Sequence, residues 1–162
     1  MRRIALITLG AGFLIGLATV AGVLYLEHEL SSPGFMAFLQ RGCAKEAKRV
    51  FLHAGWPPDG VVNGSVAHYS SHYNAHVGRC LMLVAITTND PRDKETRKSY
   101  TVGDAYEQVT YAQYFETALP GFATSVLRCD LTVPKEKPVL CHTAKEWNLL
   151  VKPYFDTGAL TH

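Results

Sequence analysis

The chain has little charge to spare. Its 162 residues carry a formal +2, and with Arg2 and Arg3 set aside the remaining Lys and Arg balance the 14 Asp and Glu one for one. A neutral body with scattered charges presents no basic stripe to neutralise phosphates, which excludes nucleic acid as a partner. Signatures of group-transfer chemistry are missing too. There is no Gly-x-Ser-x-Gly elbow and no Ser-x-x-Lys pair to activate a serine. Gly10-Ala11-Gly12 cannot cradle a phosphate, because it lies inside an apolar N-terminal segment. No cysteine follows that segment closely, which argues against a lipid-modified N-terminus. What remains legible is a location, a covalent framework and a surface.

The location comes first. Met1-Arg2-Arg3 precedes Ile4–Leu26, 23 residues without a charge, enough at ~1.5 Å per residue to span ~35 Å. Glu27 and Glu29 follow, so the positive-inside rule places Met1 in the cytoplasm and the rest of the chain outside. A cleaved signal with Thr19 and Ala21 before the cut is the alternative, but such apolar regions usually run only ~7–15 residues. The expectation is therefore a signal-anchor over residues 1–30, with the membrane as partner through residues 4–26. Gly12 and Gly16 have the small-xxx-small spacing of paired membrane helices, although glycine is common in such segments.

Beyond a Ser31-Ser32-Pro33-Gly34 break, Phe35, Leu39, Cys43, Ala47, Val50 and Ala54 recur at helical spacing. This predicts an amphipathic helix over about Phe35–Ala54, capped by Gly55 and stopped by Pro57-Pro58. Gly55–Ser65 reads as a loop; its Asn63-Gly64-Ser65 is formally a glycosylation sequon and reads better as a turn. Val66–Tyr73 and Arg79–Thr88 read as a central hairpin, and Leu81–Ile86, apolar at every position, as a strand covered on both faces. Thr87–Ser99 reads as a charged loop or a short exposed helix. Tyr100–Tyr106 and Val109–Glu116 form a second hairpin around Glu107-Gln108, and a loop follows over Ala118–Ser125.

A third hairpin joins Val126–Val133 to Val139–His142. Centred on Lys135, it sets Leu131 opposite Val139 and Cys129 opposite Cys141. Opposed antiparallel residues lie ~4.5–5.5 Å apart at Cα, within disulfide reach. Cys43 and Cys80 are then left to each other, and their bond would pin the helix to the sheet. Four cysteines, all beyond the apolar segment, fit an oxidising compartment. The last helix starts at a capping box, Thr143 with Glu146, and continues through Trp147, Leu150, Val151 and Tyr154 until Pro153 disturbs it.

Few residues invite chemistry. His68, His72 and His76 suggest a metal, yet on a strand four residues span ~13 Å, too far for three imidazoles to meet one ion at ~2.1 Å. Asp104, between Gly103 and Ala105, suits a catalytic acid less well than a turn carboxylate. No cofactor is implied.

The run Ser71-His72-Tyr73-Asn74, followed by Arg79-Cys80 and an apolar strand, resembles small exported bacterial proteins of unknown function. In those a His-Tyr-Asn triplet precedes a Lys/Arg-Cys pair and a strand. Cys43-Ala44-Lys45-Glu46-Ala47, Asp104-Ala105-Tyr106, Tyr111-Ala112-Gln113-Tyr114, Cys129 and Cys141 extend the resemblance over most of the chain from Cys43 onward. It implies an envelope location and disulfides, and no activity. Gln108 departs from it, standing where a turn glycine is expected.

The expected protein is a membrane-anchored, disulfide-stapled α+β domain over residues 35–156, with an antiparallel sheet of about six strands between two helices. Its expected role is a non-catalytic binding or structural module of the bacterial envelope, facing the periplasm, with an envelope protein as partner. The expected binding surface is His68, Tyr69, His72, Tyr73, Asn74, Tyr106 and Tyr111, since tyrosines combine contact area with a polar tip. Two other classes remain: a metal-dependent hydrolase using the histidines, and an inhibitor or immunity-type protein.

Overall fold

A computed structural model describes residues 32–92, 94–132 and 137–155. The expected membrane segment, residues 1–30, lies outside them. Among the described residues no helix is long and apolar enough to cross a membrane. The chain divides into two compact units at Leu39/Gln40. Of the first, residues 32–39 are described and form the opening turns of helix α1.

Helix α1 runs over Pro33–His53. Ser32 caps it: its hydroxyl accepts from the Phe35 N–H at 3.3 Å and its carbonyl from the Met36 N–H at 3.0 Å. Pro33 suits the first turn, where its missing N–H costs nothing. In the second unit the buried stripe is Cys43, Ala47 and Phe51. The expected stripe drifts from this at its end, where Val50 is only half-buried and Ala54 is exposed. The helix has stopped by then, because Gly55 takes φ +89° and turns the chain out of register.

Among the described residues the sheet has seven strands in the order β1 to β7, every neighbouring pair antiparallel. They are β1 Val61–Val62, β2 Ser65–Asn74, β3 Arg79–Asp90, β4 Glu95–Asp104, β5 Thr110–Ala118, β6 Ser125–Leu131 and β7 Val139–Leu140. The α+β class is as read from the sequence, with one strand more than expected. The extra strand, β1, sits in the stretch read as a loop. Asn63 and Gly64 both take positive φ, 48° and 80°, which is the turn that joins two antiparallel strands most tightly.

A second correction concerns residues 87–99. Residues 87–90 and 95–99 are strand, not loop or helix, because β3 continues to Asp90 and β4 begins at Glu95. Polar cross-strand pairs hold this ribbon: Thr96 donates to Asn89 at 3.0 Å, and Lys98 sits 3.4 Å from Glu116 of β5. Strand formation here rests on such pairs, so a search for apolar alternation does not find it.

Strand alternation sorts β3 into two faces. Cys80 and Met82 join Cys43, Ala47 and Phe51 of α1 in one core, with Val84 and Ile86 packed against it. Leu81 and Leu83 join Val102, Ala112, Tyr114 and the C-terminal residues Trp147, Val151 and Phe155 in the other. The two helices therefore lie on opposite faces. Helix α2, Ala144–Val151, starts as expected, with Thr143 accepting from the Glu146 N–H at 3.1 Å. Glu146 reaches back one residue further than a standard box, to the His142 N–H at 2.7 Å. Pro153 then tightens the chain into a 3-10 turn over Lys152–Tyr154.

Both expected disulfides are present. Cys43–Cys80 joins α1 to β3 with Cα atoms 5.2 Å apart, and Cys129–Cys141 joins β6 to the residue after β7 at 5.0 Å. The hairpin register is as expected, with Leu131 opposite Val139; residues 133–136, which include Lys135, lie outside the described residues. Two disulfides and no free cysteine suit an oxidising, extracytoplasmic compartment. One edge carries a further device. The Gln40 side chain donates to the Ser71 carbonyl at 3.1 Å and accepts from the Tyr73 N–H at 2.8 Å, so its amide stands in for a partner strand along β2.

Candidate functional site

Helix α2 is only eight residues long, and it packs towards β6, with Trp147 against the Tyr114 ring of β5 at 5.7 Å. It cannot cover the whole sheet face beneath it. The uncovered part forms a groove of about 590 Å³. Its floor is Leu83, Ala85 and Tyr100, and small side chains deepen it at Ser70 and Thr87. Trp147 and Asn148 form one wall, and exposed His68 stands on the opposite rim. This is why Ala85 stays half-exposed on a strand whose earlier residues are buried.

The groove's charges are answered internally. Glu116 accepts from the Tyr114 hydroxyl at 2.5 Å through one oxygen and faces Lys98 at 3.4 Å through the other. Burial pushes the Tyr114 hydroxyl well above its ordinary titration range, and the bond to Glu116 adds to the effect, so the phenol stays a neutral donor. The Tyr100 ring leans on Tyr114, with centroids 5.8 Å apart, and continues the aromatic floor towards solvent.

At the other end of the same sheet, Asn74 and Asp104 close turns. The Asn74 side-chain oxygen accepts from the His76 and Val77 N–H groups at 3.0 and 3.2 Å, while its amide donates to the Tyr154 carbonyl at 3.2 Å. The Asp104 carboxylate accepts from the Tyr106 and Glu107 N–H groups at 2.8 and 3.2 Å and from Arg79 at 3.4 Å. Arg79 also binds Glu107, which raises its pKa further above an already high value. Asp104 is thus a turn carboxylate. Gln108 fills the glycine's place in this turn by taking φ +55° itself.

The seven residues expected to share one binding surface do not do so. Of the seven, two border the groove, His68 with an exposed side chain and Tyr69 from the strand between it and Ser70. His72 lies on the same face, four residues along the strand. Tyr69 and Tyr73 alternate to the opposite face; Tyr69 packs on the Phe51 ring at 4.7 Å, and Tyr73 flanks the same core. Asn74 is buried in its turn. Tyr106 is exposed, but its hydroxyl lies over Gly42 of α1. Tyr111 is buried at a β-bulge beside Gly103, and its hydroxyl has no hydrogen-bond partner among the described residues. Burial, then Asp104, pushes that hydroxyl's pKa up. The period of two divides the expected set between faces.

Nor do the three histidines meet: His68 and His72 are on strand β2 and His76 is in the turn after it. Among the described residues no three His, Cys, Asp or Glu side chains could hold a metal ion. The residues missed from the sequence are Lys98, Tyr100, Glu116, Trp147 and Asn148. Lys98 and Tyr100 had a signal, the alternation Lys98-Tyr100-Val102, which the charged neighbours obscured. No protein-family model, curated protein or solved structure matches the chain.

Proposed function

We propose that this protein is a non-catalytic binding module of the bacterial cell envelope, tethered to the outer face of the cytoplasmic membrane by residues 4–26. The groove beside α2 carries this reading. A concavity of about 590 Å³ falls within the ~300–1,000 Å³ of ordinary ligand sites, and it combines an aromatic floor with convergent polar groups. The rigid frame supports it, because Cys43–Cys80 ties α1 to β3 and Cys129–Cys141 ties β6 to the residue after β7. The extracytoplasmic chemistry of those disulfides, together with the resemblance of His72-Tyr73-Asn74 and Arg79-Cys80 to exported bacterial proteins, supports the location.

The test places an ultraviolet-activated amino acid at His68 or Asn148 in the full chain, in intact cells, with exposed Arg92 as the control position. The two groove positions should yield an adduct that position 92 does not. Equal labelling at all three, or none at 68 and 148, refutes the groove as the binding surface.

A further inference from the structure

Resting on the binding role above, we propose that the groove takes a neutral, hydroxyl-rich ring compound, that is, a short stretch of carbohydrate. Both Glu116 oxygens are engaged, one by Lys98 and one by the Tyr114 hydroxyl. The two charges therefore answer each other, with the Lys98 ammonium still partly open to solvent. A neutral ligand leaves that pair intact, whereas an anion would compete with Glu116 for Lys98 and a cation with Lys98 for Glu116.

The unspent groups are of a different kind. They are the imidazole of His68, the hydroxyls of Ser70, Thr87 and Tyr100, and the amide of Asn148; none makes a hydrogen bond among the described residues. Each can donate as well as accept, in one orientation or another. Groups of that kind are matched by sugar hydroxyls, which have the same dual capacity. The half-exposed Tyr100 ring supplies a flat surface for the C–H face of a pyranose.

An extended peptide is the other neutral ligand with many donors and acceptors. Recognised by strand addition, it needs a row of free backbone groups at a sheet edge. The groove lies on a sheet face, where the backbone of β3 and β4 is already paired on both sides. Side chains alone do the recognising there, which favours the sugar.

The experiment uses the full chain in lipid nanodiscs, which avoids glycoside detergents. Saturation-transfer difference NMR and titration calorimetry are run with four probes: triacetylchitotriose, maltotriose, trigalacturonate and trialanine. At least one neutral trisaccharide should bind with a Kd of ~1 mM or tighter. His68→Ala and Tyr100→Ala should weaken it at least ~5-fold, while Tyr100→Phe, which keeps the ring, should lose less. His68 is exposed, so His68→Ala leaves the fold intact, and an unchanged melting temperature checks Tyr100→Ala.

No binding by either neutral trisaccharide overturns the proposal, and so does binding that ignores both His68→Ala and Tyr100→Ala. If trigalacturonate or trialanine binds in their place and responds to these variants, the ligand class is wrong and the binding role stands. If position 148 also captures nothing in cells, the binding role falls with it.

Discussion

Removing the Cys43–Cys80 bond should destabilise the protein more than removing Cys129–Cys141. The two bonds close loops of very different length, with sequence separations of 37 and 12. In the chain-entropy account the longer loop contributes about 4 kcal/mol and the shorter about 3 kcal/mol, because the unfolded chain loses more freedom when a longer loop is closed. Packing widens the gap. Cys43 and Cys80 are fully buried between α1 and the sheet, whereas Cys129 and Cys141 keep about 5% exposure. Alanine is the right replacement, since serine would bury a hydroxyl with no partner. Urea unfolding of the paired variants Cys43→Ala/Cys80→Ala and Cys129→Ala/Cys141→Ala, followed by intrinsic fluorescence, measures the difference. The two tryptophans report on opposite faces: Trp56 stacks on Phe51 beside α1, and Trp147 sits on Tyr114 beside α2. Coincident transitions from the two probes would justify a two-state treatment. At about 2–8 °C per kcal/mol, the first variant should melt ~8 °C or more below the parent. A larger loss from the Cys129/Cys141 pair would refute the loop-length reasoning.

Asn74→Ala removes the acceptor of two turn N–H groups and the donor to Tyr154, and should cost about 2 kcal/mol in urea unfolding; a neutral result would mean water replaces all three bonds. Gly60→Ala forces a Cβ into the Ala67 carbonyl oxygen at a position with φ +71°, so a loss of about 2 kcal/mol or more and exchange of the Ala67 amide proton are expected. High pH should unfold the protein. The folded state holds the Tyr114 and Tyr111 hydroxyls neutral above their ordinary pKa, so their contribution is fully present below about pH 10 and is lost as pH rises beyond it, when the unfolded chain releases those protons first. A pH titration of melting temperature checks this, and Tyr114→Phe should flatten the decline.

Much of this architecture is written in local pattern. The stop at Gly55, the Thr143 cap, the apolar run Leu81–Ile86 and the turn around Gln108 each follow from backbone sterics or hydrogen-bond bookkeeping within a few residues. Even the long-range bond Cys43–Cys80 follows, because the Cys129–Cys141 hairpin leaves one pairing. The ribbon over 87–99 resisted for a physical reason. Its strands are held by Lys98–Glu116 and Asn89–Thr96 pairs, and a polar residue in a solvated strand looks like a polar residue in a loop. The two-residue strand β1 escaped because Val61 and Val62 are too short a run to show alternation.

The site depends on quantities that no local window contains. That His68 and Tyr69 point apart is fixed by strand periodicity once β2 is known to be a strand. Which of the two meets open space was decided by the length of α2 and by where α1 crosses. An eight-residue helix cannot shield a seven-stranded sheet, so the groove exists where coverage ends. The sequence by itself determined most of the elements, the covalent pairing and the oxidising chemistry it implies, all consequences of short-range sterics or of counting. Only the tertiary structure decided which polar side chains converge, because convergence depends on what each face leaves uncovered.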